Sequence, residues 1–172
     1  MKRLILILAL AACGSGGGGD PDPLSTKPAD VTLTISSGNI LVGDRLAVRS
    51  ELSDIHPNGI VLKWRVPRSM IRVVNTEFLS LPRDQRIELT PFIDDEKGDY
   101  RYIVYVFTSS TFDDERRARI DFQLQATKPV DDALVELDVD IYDTTKSISE
   151  QFDIDRPLFG PVIVKGLDIT KR

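Results

Sequence analysis

The sequence contains little of what most catalytic and cross-linked sites need. Its 172 residues include one cysteine, one histidine and one tryptophan. One cysteine cannot form an intramolecular disulfide bond, and the only histidine that a Ser-His-Asp arrangement could use is His56. That residue lies in the turn-forming run His56-Pro57-Asn58-Gly59, where we expect a solvated loop residue and not a catalytic base. The residue content therefore predicts a protein that is not an enzyme.

Long apolar runs and an excess of positive charge are also missing. The apolar segment at residues 4–9 is far shorter than the roughly 20 residues of a membrane-spanning helix. The formal net charge is −5, and an acidic chain is poorly suited to nucleic acid, where phosphate contacts dominate affinity. The glycine run at residues 16–19 precedes no strand–helix unit, so it does not predict a phosphate-binding loop. We therefore expect no nucleic acid partner, no cofactor and no small-molecule ligand.

The first residues have the layout of a secretory signal peptide. Lys2 and Arg3 form a positive segment, residues 4–9 form a short apolar core, and Ala11 and Ala12 supply the small residues before a cleavage site. Removing residues 1–12 of the 172 leaves 160. This removal takes away two basic residues and no acidic one, so the formal charge changes from −5 to −7. We therefore expect an exported, acidic protein.

The cysteine makes this prediction more specific. Leu10-Ala11-Ala12-Cys13 resembles the lipobox of bacterial lipoproteins. The resemblance implies cleavage before Cys13 and lipid attachment at Cys13, and two or more acyl chains give stable membrane attachment where one is marginal. Gly14 follows the cysteine where an Asp would resemble an inner-membrane retention signal, so an outer-membrane location is favoured if the source is Gram-negative. An ordinary secretory signal with an incidental cysteine is the alternative.

Residues 13–30 are predicted to be the lipidated cysteine and a tether. Glycine and serine dominate residues 14–19, and prolines follow at positions 21, 23 and 28. Such a linker is flexible at first and stiffer later, because proline favours extended chains. It would hold a domain away from the bilayer.

The rest of the chain is a series of short alternating runs broken by turn residues, which is typical of an all-β protein. Up to residue 126, strands are predicted at residues 31–35, 46–52, 60–66, 70–74, 86–89, 100–108 and 118–124, with a turn at 94–99. Beyond Pro129, about three more are predicted at residues 133–141, 147–154 and 162–169.

Residues 31–126 resemble an immunoglobulin-like β-sandwich of roughly 100 residues. Glu96-Lys97-Gly98-Asp99-Tyr100 looks like a tyrosine corner, which would pin the start of strand F through the Tyr100 hydroxyl. Trp64 occupies the place of the core tryptophan of strand C. The positions near the two core cysteines of antibody domains would be taken by Ser50 and Tyr102.

The run Val42-Gly43-Asp44-Arg45-Leu46 also resembles the PKD-like and cadherin-like repeats of bacterial surface proteins, which lack that disulfide bond. The predicted fold class is thus an all-β, immunoglobulin-like antiparallel β-sandwich with a C-terminal extension of about three strands. An unrelated β-sandwich or barrel is the alternative. Residues 127–172 form the extension, and a segment this short buries too little surface to fold alone. We expect it to extend or pack on the sandwich, and an edge completed by a partner chain is the alternative.

Two kinds of side chain could mark a ligand site. Acidic residues recur in short groups, and loop carboxylates can bind Ca²⁺. The groups are at residues 94–96, 113–115, 131–132, 138 with 140, and 153 with 155. No EF-hand spacing is present, so we expect solubilising turns and no metal site. The strand at residues 100–108 carries several aromatic residues that could stack on sugars, but packing on the two faces of a sheet is the favoured interpretation.

The sequence therefore predicts a lipid-anchored, non-enzymatic protein of the bacterial cell envelope that acts as a protein-interaction or structural module. Its expected partners are the membrane, through the lipid on Cys13, and another envelope protein. A glycan- or Ca²⁺-binding adhesion-type module is one alternative. An accessory lipoprotein of a secretion or motility machine is the other.

Overall fold

The computed structural model describes residues 26–73, 76–81, 85–89, 91, 93–112, 115–147, 150 and 163–171. Within these residues the chain forms twelve β-strands and one short 3-10 turn at Ser109–Thr111. The strands are β1 (Asp30–Ile35), β2 (Asn39–Leu41), β3 (Arg45–Ser53), β4 (Gly59–Pro67), β5 (Met70–Arg72), β6 (Thr76–Leu81), β7 (Gln85–Leu89), β8 (Ile93–Lys97), β9 (Tyr100–Thr108), β10 (Arg117–Ala126), β11 (Val130–Ile141) and β12 (Ile163–Thr170).

These strands form two sheets packed face to face. Sheet A has the order β1-β3-β10-β6-β7, with β5 also paired to β10, and sheet B has the order β2-β12-β11-β4-β9-β8. The start of the domain joins both sheets, because β1 pairs antiparallel with β3 and β2 pairs parallel with β12. The other described pairs are antiparallel. The prediction of an all-β sandwich is confirmed.

Alternating side chains explain why the sheets pack in this way. In β3 and β10 nearly every second residue is buried, and the residues between them are polar or small and face solvent. Strand β4 is buried along most of its length, and β9 is buried mainly between Ile103 and Phe107. Such a pattern is expected in the middle of a sheet, where both faces are covered to some extent.

Trp64 lies at the centre of the core. Its side chain is 0% exposed, and its ring meets Tyr105 of sheet B at 5.8 Å and Phe122 of sheet A at 5.3 Å, both edge to face. Edge-to-face geometry is the favourable arrangement for two aromatic quadrupoles. The core position expected for Trp64 is therefore the one observed.

The segment after residue 126 is part of sheet B. Strand β11 lies between β4 and β12, and its Val135, Leu137 and Val139 are buried in the same core as Trp64. The long β11–β4 pairing runs from Glu136 opposite Arg65 to Ile141 opposite Ile60. Sheet B therefore needs residues beyond 126 to cover its side of the core. The sequence-based domain boundaries themselves stay predictions.

The tyrosine corner predicted at Tyr100 is wrong. A corner of this type carries the chain between sheets, but β8 and β9 are hydrogen-bonded neighbours in sheet B, with Lys97 opposite Tyr100. Gly98, with φ +59°, and Asp99 make the two-residue turn between them, because positive φ at such a turn favours glycine. The Tyr100 ring instead lies under the Arg65 guanidinium, 4.6 Å from the ring centroid.

Other sequence-based predictions of local structure also differ from the observed strands and burial. The predicted turn at 94–99 is mostly strand β8, and β6 was not predicted. Ser50 is buried in the core side of sheet A, but Tyr102 is only half-buried, on the opposite face of its strand from Ile103 and Tyr105. Tyr102 therefore does not occupy a core-cysteine position. The strand predicted at residues 147–154 lies largely outside the described residues.

Candidate functional site

Cys13 and most of the tether lie outside the described residues, so lipidation stays a prediction. The described chain begins near the turn between β3 and β4. The Pro28 carbonyl accepts a hydrogen bond of 2.8 Å from the His56 backbone N–H, and Ala29 is buried. The tether therefore joins the sandwich at the end that carries this turn.

His56 is a buried part of that turn, which corrects the prediction of a solvated loop residue. It is 7% exposed, and its Nδ1 accepts a hydrogen bond of 3.1 Å from the Asn58 backbone N–H. Its carbonyl accepts a bond of 2.9 Å from the Gly59 N–H. The His56 ring can be buried because its Nδ1 takes the place of a water molecule as the acceptor for the Asn58 backbone N–H.

The acidic residues Asp94 and Glu96 form ion pairs with arginines of the same chain. Asp94 contacts Arg72 and Arg101, and Glu96 contacts Arg68 and Arg101, so one network joins β5 of sheet A to sheet B. The hydrogen bond from Arg68 and then that from Arg101 hold the pKa of Glu96 below its usual range. Among the described residues no group of three or more histidine, cysteine or acidic side chains is placed to hold a metal ion.

Other predicted acidic residues have separate environments. Asp138 faces Lys63 at 3.7 Å, Asp140 is exposed, and residues 113–114 and 153–155 lie outside the described parts of the chain. Asp132 donates its backbone N–H to the Asp168 carboxylate at 3.3 Å. These residues are therefore spread over the molecule and do not form one site.

The aromatic residues of β9 do not form a sugar-stacking platform. Tyr105 and Phe107 are buried in the core, and the Tyr105 hydroxyl donates to Thr76 of sheet A. Burial raises the pKa of Tyr105. The hydrogen bond with Thr76 lowers the pKa by a smaller amount, so the net shift is upwards. Tyr100 and Tyr102 are half-buried on the opposite face, and the Arg65 guanidinium lies over the Tyr100 ring. The core interpretation is confirmed for Tyr105 and Phe107.

The outer face of sheet A carries a groove of about 750 Å³. Two cross-strand rows of side chains line it, and we call it the sheet A groove. One row crosses four strands and consists of Thr34, Arg49, Asp121 and Glu77. The other row consists of Ser36, Ala47, Gln123 and Val73. Because Ala47 and Ser36 are small, the sheet surface is depressed between larger neighbours.

Charged groups hold the first row in place. Arg49 donates to Asp121 twice, from Nε at 2.8 Å and from Nη2 at 3.3 Å. The Nε atom of Arg119 lies 3.0 Å from the other side of the same carboxylate. The hydrogen bond and charge of Asp121 raise the pKa of Arg49, so the guanidinium remains a cation throughout the physiological range. A bidentate pair fixes the guanidinium plane, which leaves a donor edge at a defined position.

Sheet B presents a different kind of surface. The large apolar side chains exposed in the described residues are Leu41, Leu134 and Val164, at 38%, 38% and 45% exposure. All three lie on the outer face of sheet B. Leu134 of β11 and Val164 of β12 lie close together on neighbouring strands beside Gly166, and we call these two residues the apolar patch. Leu41 lies apart from them, opposite Thr170, which is six residues along β12 from Val164. Gly166 lies directly opposite Leu134, and a Cβ at Gly166 would meet nothing within 4 Å. The middle of the patch is therefore flat and open.

Comparison with known proteins identifies the fold and no closer relationship. No protein-family model matches the sequence, and no curated protein matches it significantly. A cohesin module from a family 33 glycoside hydrolase of Clostridium perfringens is similar in structure, with a TM-score of 0.50 and 8% identity over 86% of this chain and 100% of that module. BcpA, the major pilin subunit of Bacillus cereus, in a D312A form, matches with a TM-score of 0.51 and 6% identity.

The pilin match covers 83% of this chain, and the chain spans 40% of the length of the pilin. At these identities the likeness shows a two-sheet β-sandwich and carries no catalytic or binding residue across. Among the described residues, no helix has the length and apolar character needed to cross a membrane.

Sequence reasoning missed both surfaces. The groove joins residues more than 70 positions apart, such as Arg49 and Asp121, so only the pairing of β3 with β10 brings them together. For the apolar patch a signal was present, because Leu134 and Val164 occupy alternate positions that the strand pattern assigns to the outer face. That signal becomes useful only when the two strands are known to be neighbours.

Proposed function

We propose that this chain is a lipid-anchored protein of the bacterial cell envelope whose β-sandwich binds another envelope protein and has no catalytic activity. The anchor rests on Leu10-Ala11-Ala12-Cys13 and on the tether that follows. The observation that carries the interaction is the apolar patch, since Leu134 and Val164 are both exposed on neighbouring strands of one sheet face. Clustered exposed apolar residues are typical of protein-interaction sites, whereas single ones are ordinary.

The tether sets how far the sandwich can stand from the membrane. Of the predicted tether at residues 13–30, residues 13–27 precede the docked Pro28 and number 15. A flexible chain of that length has a root-mean-square span of roughly 19–23 Å and a maximum of ~50 Å. The chain reaches the sandwich at the turn that carries His56, through the hydrogen bond to Pro28. The partner must therefore lie close to the membrane that holds the lipid, most readily the outer membrane in a Gram-negative cell.

The charges around the apolar patch indicate the chemistry of the partner. Asp168 and Thr170 lie on the same face of β12 as Val164, and exposed Asp132 lies beside Leu134 on β11. A partner surface with apolar side chains flanked by lysine or arginine would complement this arrangement. The formal charge of −7 expected for the chain after cleavage before Cys13 attracts a basic partner at long range as well.

The anchor is tested by the intact mass and the membrane fractionation of wild type and Cys13→Ser. We expect a diacylated or triacylated chain beginning at Cys13, and its loss from the membrane fraction in the variant. Ser15→Ala is the matched control, because it changes a neighbouring small polar residue and keeps the cysteine. A wild-type protein that is soluble and carries no lipid would contradict the anchor.

The interaction is tested by placing a photo-crosslinking residue at position 134 or 164 in cells. The control position is 125, where the half-buried Gln125 lies on the outer face of sheet A. We expect one discrete cross-linked protein from positions 134 and 164, and its loss when Gly166→Lys places a charge in the open centre of the patch. Equal cross-linking from position 125, or no discrete product from the patch, would contradict this interaction surface.

A further inference from the structure

We infer that the sheet A groove is a binding site for a neutral, hydroxyl-rich ligand, a short oligosaccharide segment. The inference is independent of the lipid anchor and of the apolar patch, which lies on the other sheet. It starts from size, since about 750 Å³ lies within the roughly 300–1,000 Å³ of ordinary ligand pockets.

The groove contains hydrogen-bonding groups that the chain itself leaves unused. Within the described residues, Thr34, Glu77 and Gln123 make no side-chain hydrogen bond or ion pair, and Arg49 uses Nε and Nη2 but not Nη1. These groups include donors, acceptors and side chains that do both. Sugar hydroxyls both donate and accept, so a mixed set of this kind matches them better than it matches a purely donating or accepting ligand.

The charge of the groove favours a neutral ligand. Arg49 and Arg119 both approach Asp121, and Glu77 lies opposite Asp121 on the next strand. Among the described residues that line the groove, Arg49 is paired with Asp121, and Glu77 makes no ion pair. An anionic ligand would be repelled by Glu77 and would compete with Asp121 for Arg49, so a hydroxyl-rich ligand without negative charge fits the groove better.

The position of the groove argues against an extended peptide. Its floor is formed by β3 and β10, and each of these strands is already paired on both sides. A peptide that adds a strand needs an open sheet edge, and a peptide in an apolar groove needs apolar pockets. Of the apolar lining residues, Val48 and Phe122 are buried towards the core, so the apolar side chains that the groove offers are Ala47 and Val73, enough to contact the less polar face of a sugar ring.

The test uses the full-length chain in detergent micelles, labelled with ¹⁵N, and three probes at millimolar concentration. The probes are N-acetylglucosamine oligomers, cello-oligosaccharides and, as an acidic comparison, oligogalacturonate. We expect backbone shifts at Ala47, Arg49 and Asp121 with at least one neutral probe. Ala47→Trp should weaken that binding at least tenfold, because its new side chain fills the exposed floor of the groove.

Thr32→Trp is the matched control, because it adds the same side chain to the same exposed face outside the groove. If Ala47→Trp does not fold by circular dichroism, Thr34→Val with Gln123→Ala removes hydrogen-bonding groups at exposed or half-buried positions and is measured instead. No groove shifts with either neutral probe, equal weakening by Thr32→Trp, or a preference for oligogalacturonate would each overturn the inference. None of these results depends on whether Cys13 is lipidated.

Discussion

Replacing Phe122 with alanine tests whether the two sheets are held together through the aromatic core. Phe122 of β10 is 2% exposed and meets the Trp64 ring of β4 edge to face at 5.3 Å. Truncating a buried phenylalanine to alanine costs about 3–5 kcal/mol, because apolar burial is lost and a cavity remains. That loss is large against the roughly 5–15 kcal/mol of net stability in a typical domain.

The assay follows Trp64 fluorescence during urea unfolding, and Trp64 is the single tryptophan of the chain. With a urea dependence of about 2 kcal/mol per molar, the midpoint should fall by roughly 1.5–2.5 M. Phe122→Leu should lose less than half as much, since most of the apolar volume stays. Gln123→Ala, whose side chain points to the outer face of the same strand, should change stability by no more than about 0.5 kcal/mol. A loss below about 1 kcal/mol for Phe122→Ala would refute the packing described for the core.

Three further predictions concern turns, buried hydroxyls and pH. Gly59→Ala should lower the free energy of unfolding, measured in urea, by about 2–4 kcal/mol, because Gly59 has φ +99° and a Cβ would lie 2.1 Å from the Phe107 carbonyl oxygen. Gly98→Ala is the control: Gly98 has φ +59° with open space around it, so this substitution should lower it by only about 1–2 kcal/mol. Thr76→Val should cost about 1–3 kcal/mol by leaving the Tyr105 hydroxyl buried without its acceptor, and adding Tyr105→Phe should restore most of that loss; an equal or larger loss in the double variant would contradict this account. The hydroxyl and then the backbone N–H of Thr145 lower the pKa of Asp143 to about 2 from an ordinary 3.8, so its stabilising effect should be complete above about pH 4 and disappear as the pH falls through 2. In an NMR titration Thr145→Ala should bring the pKa of Asp143 back towards 3.8, and an unchanged pKa would exclude Thr145 as the cause.

The strands with clear alternation were the ones that the sequence predicted well. The predicted segments 46–52, 60–66, 118–124 and 133–141 all lie inside observed strands. Strand β8 was missed because Asp94, Asp95 and Glu96 look like a solvated turn. The carboxylates of Asp94 and Glu96 are stabilised in a strand by Arg68, Arg72 and Arg101, and Arg68 and Arg72 are distant in sequence. A local pattern contains no information about such partners.

The sheet A groove also combines features that a local pattern predicts with features that it does not. Alternation predicts which residues of a strand face outwards, so Arg49 and Asp121 are each assigned to a polar face. It does not predict that β3 and β10 are neighbours in the register that places these two side chains together. His56 also shows the effect of tertiary context, because the carbonyl of Pro28 and the turn backbone bury a residue that the local sequence favours as solvated.

By itself, the sequence determined the all-β class and the core position of Trp64, and it supplied the lipobox-like segment on which the anchor proposal rests. These properties depend on side-chain periodicity and on short contiguous motifs, both of which are local. Only the tertiary structure decided that residues 130–141 fill the middle of sheet B, that Tyr100 lies in a hairpin, and that the sheet A groove and the apolar patch exist. Each of those depends on which strands become neighbours, and that choice is made by the packing of the whole core.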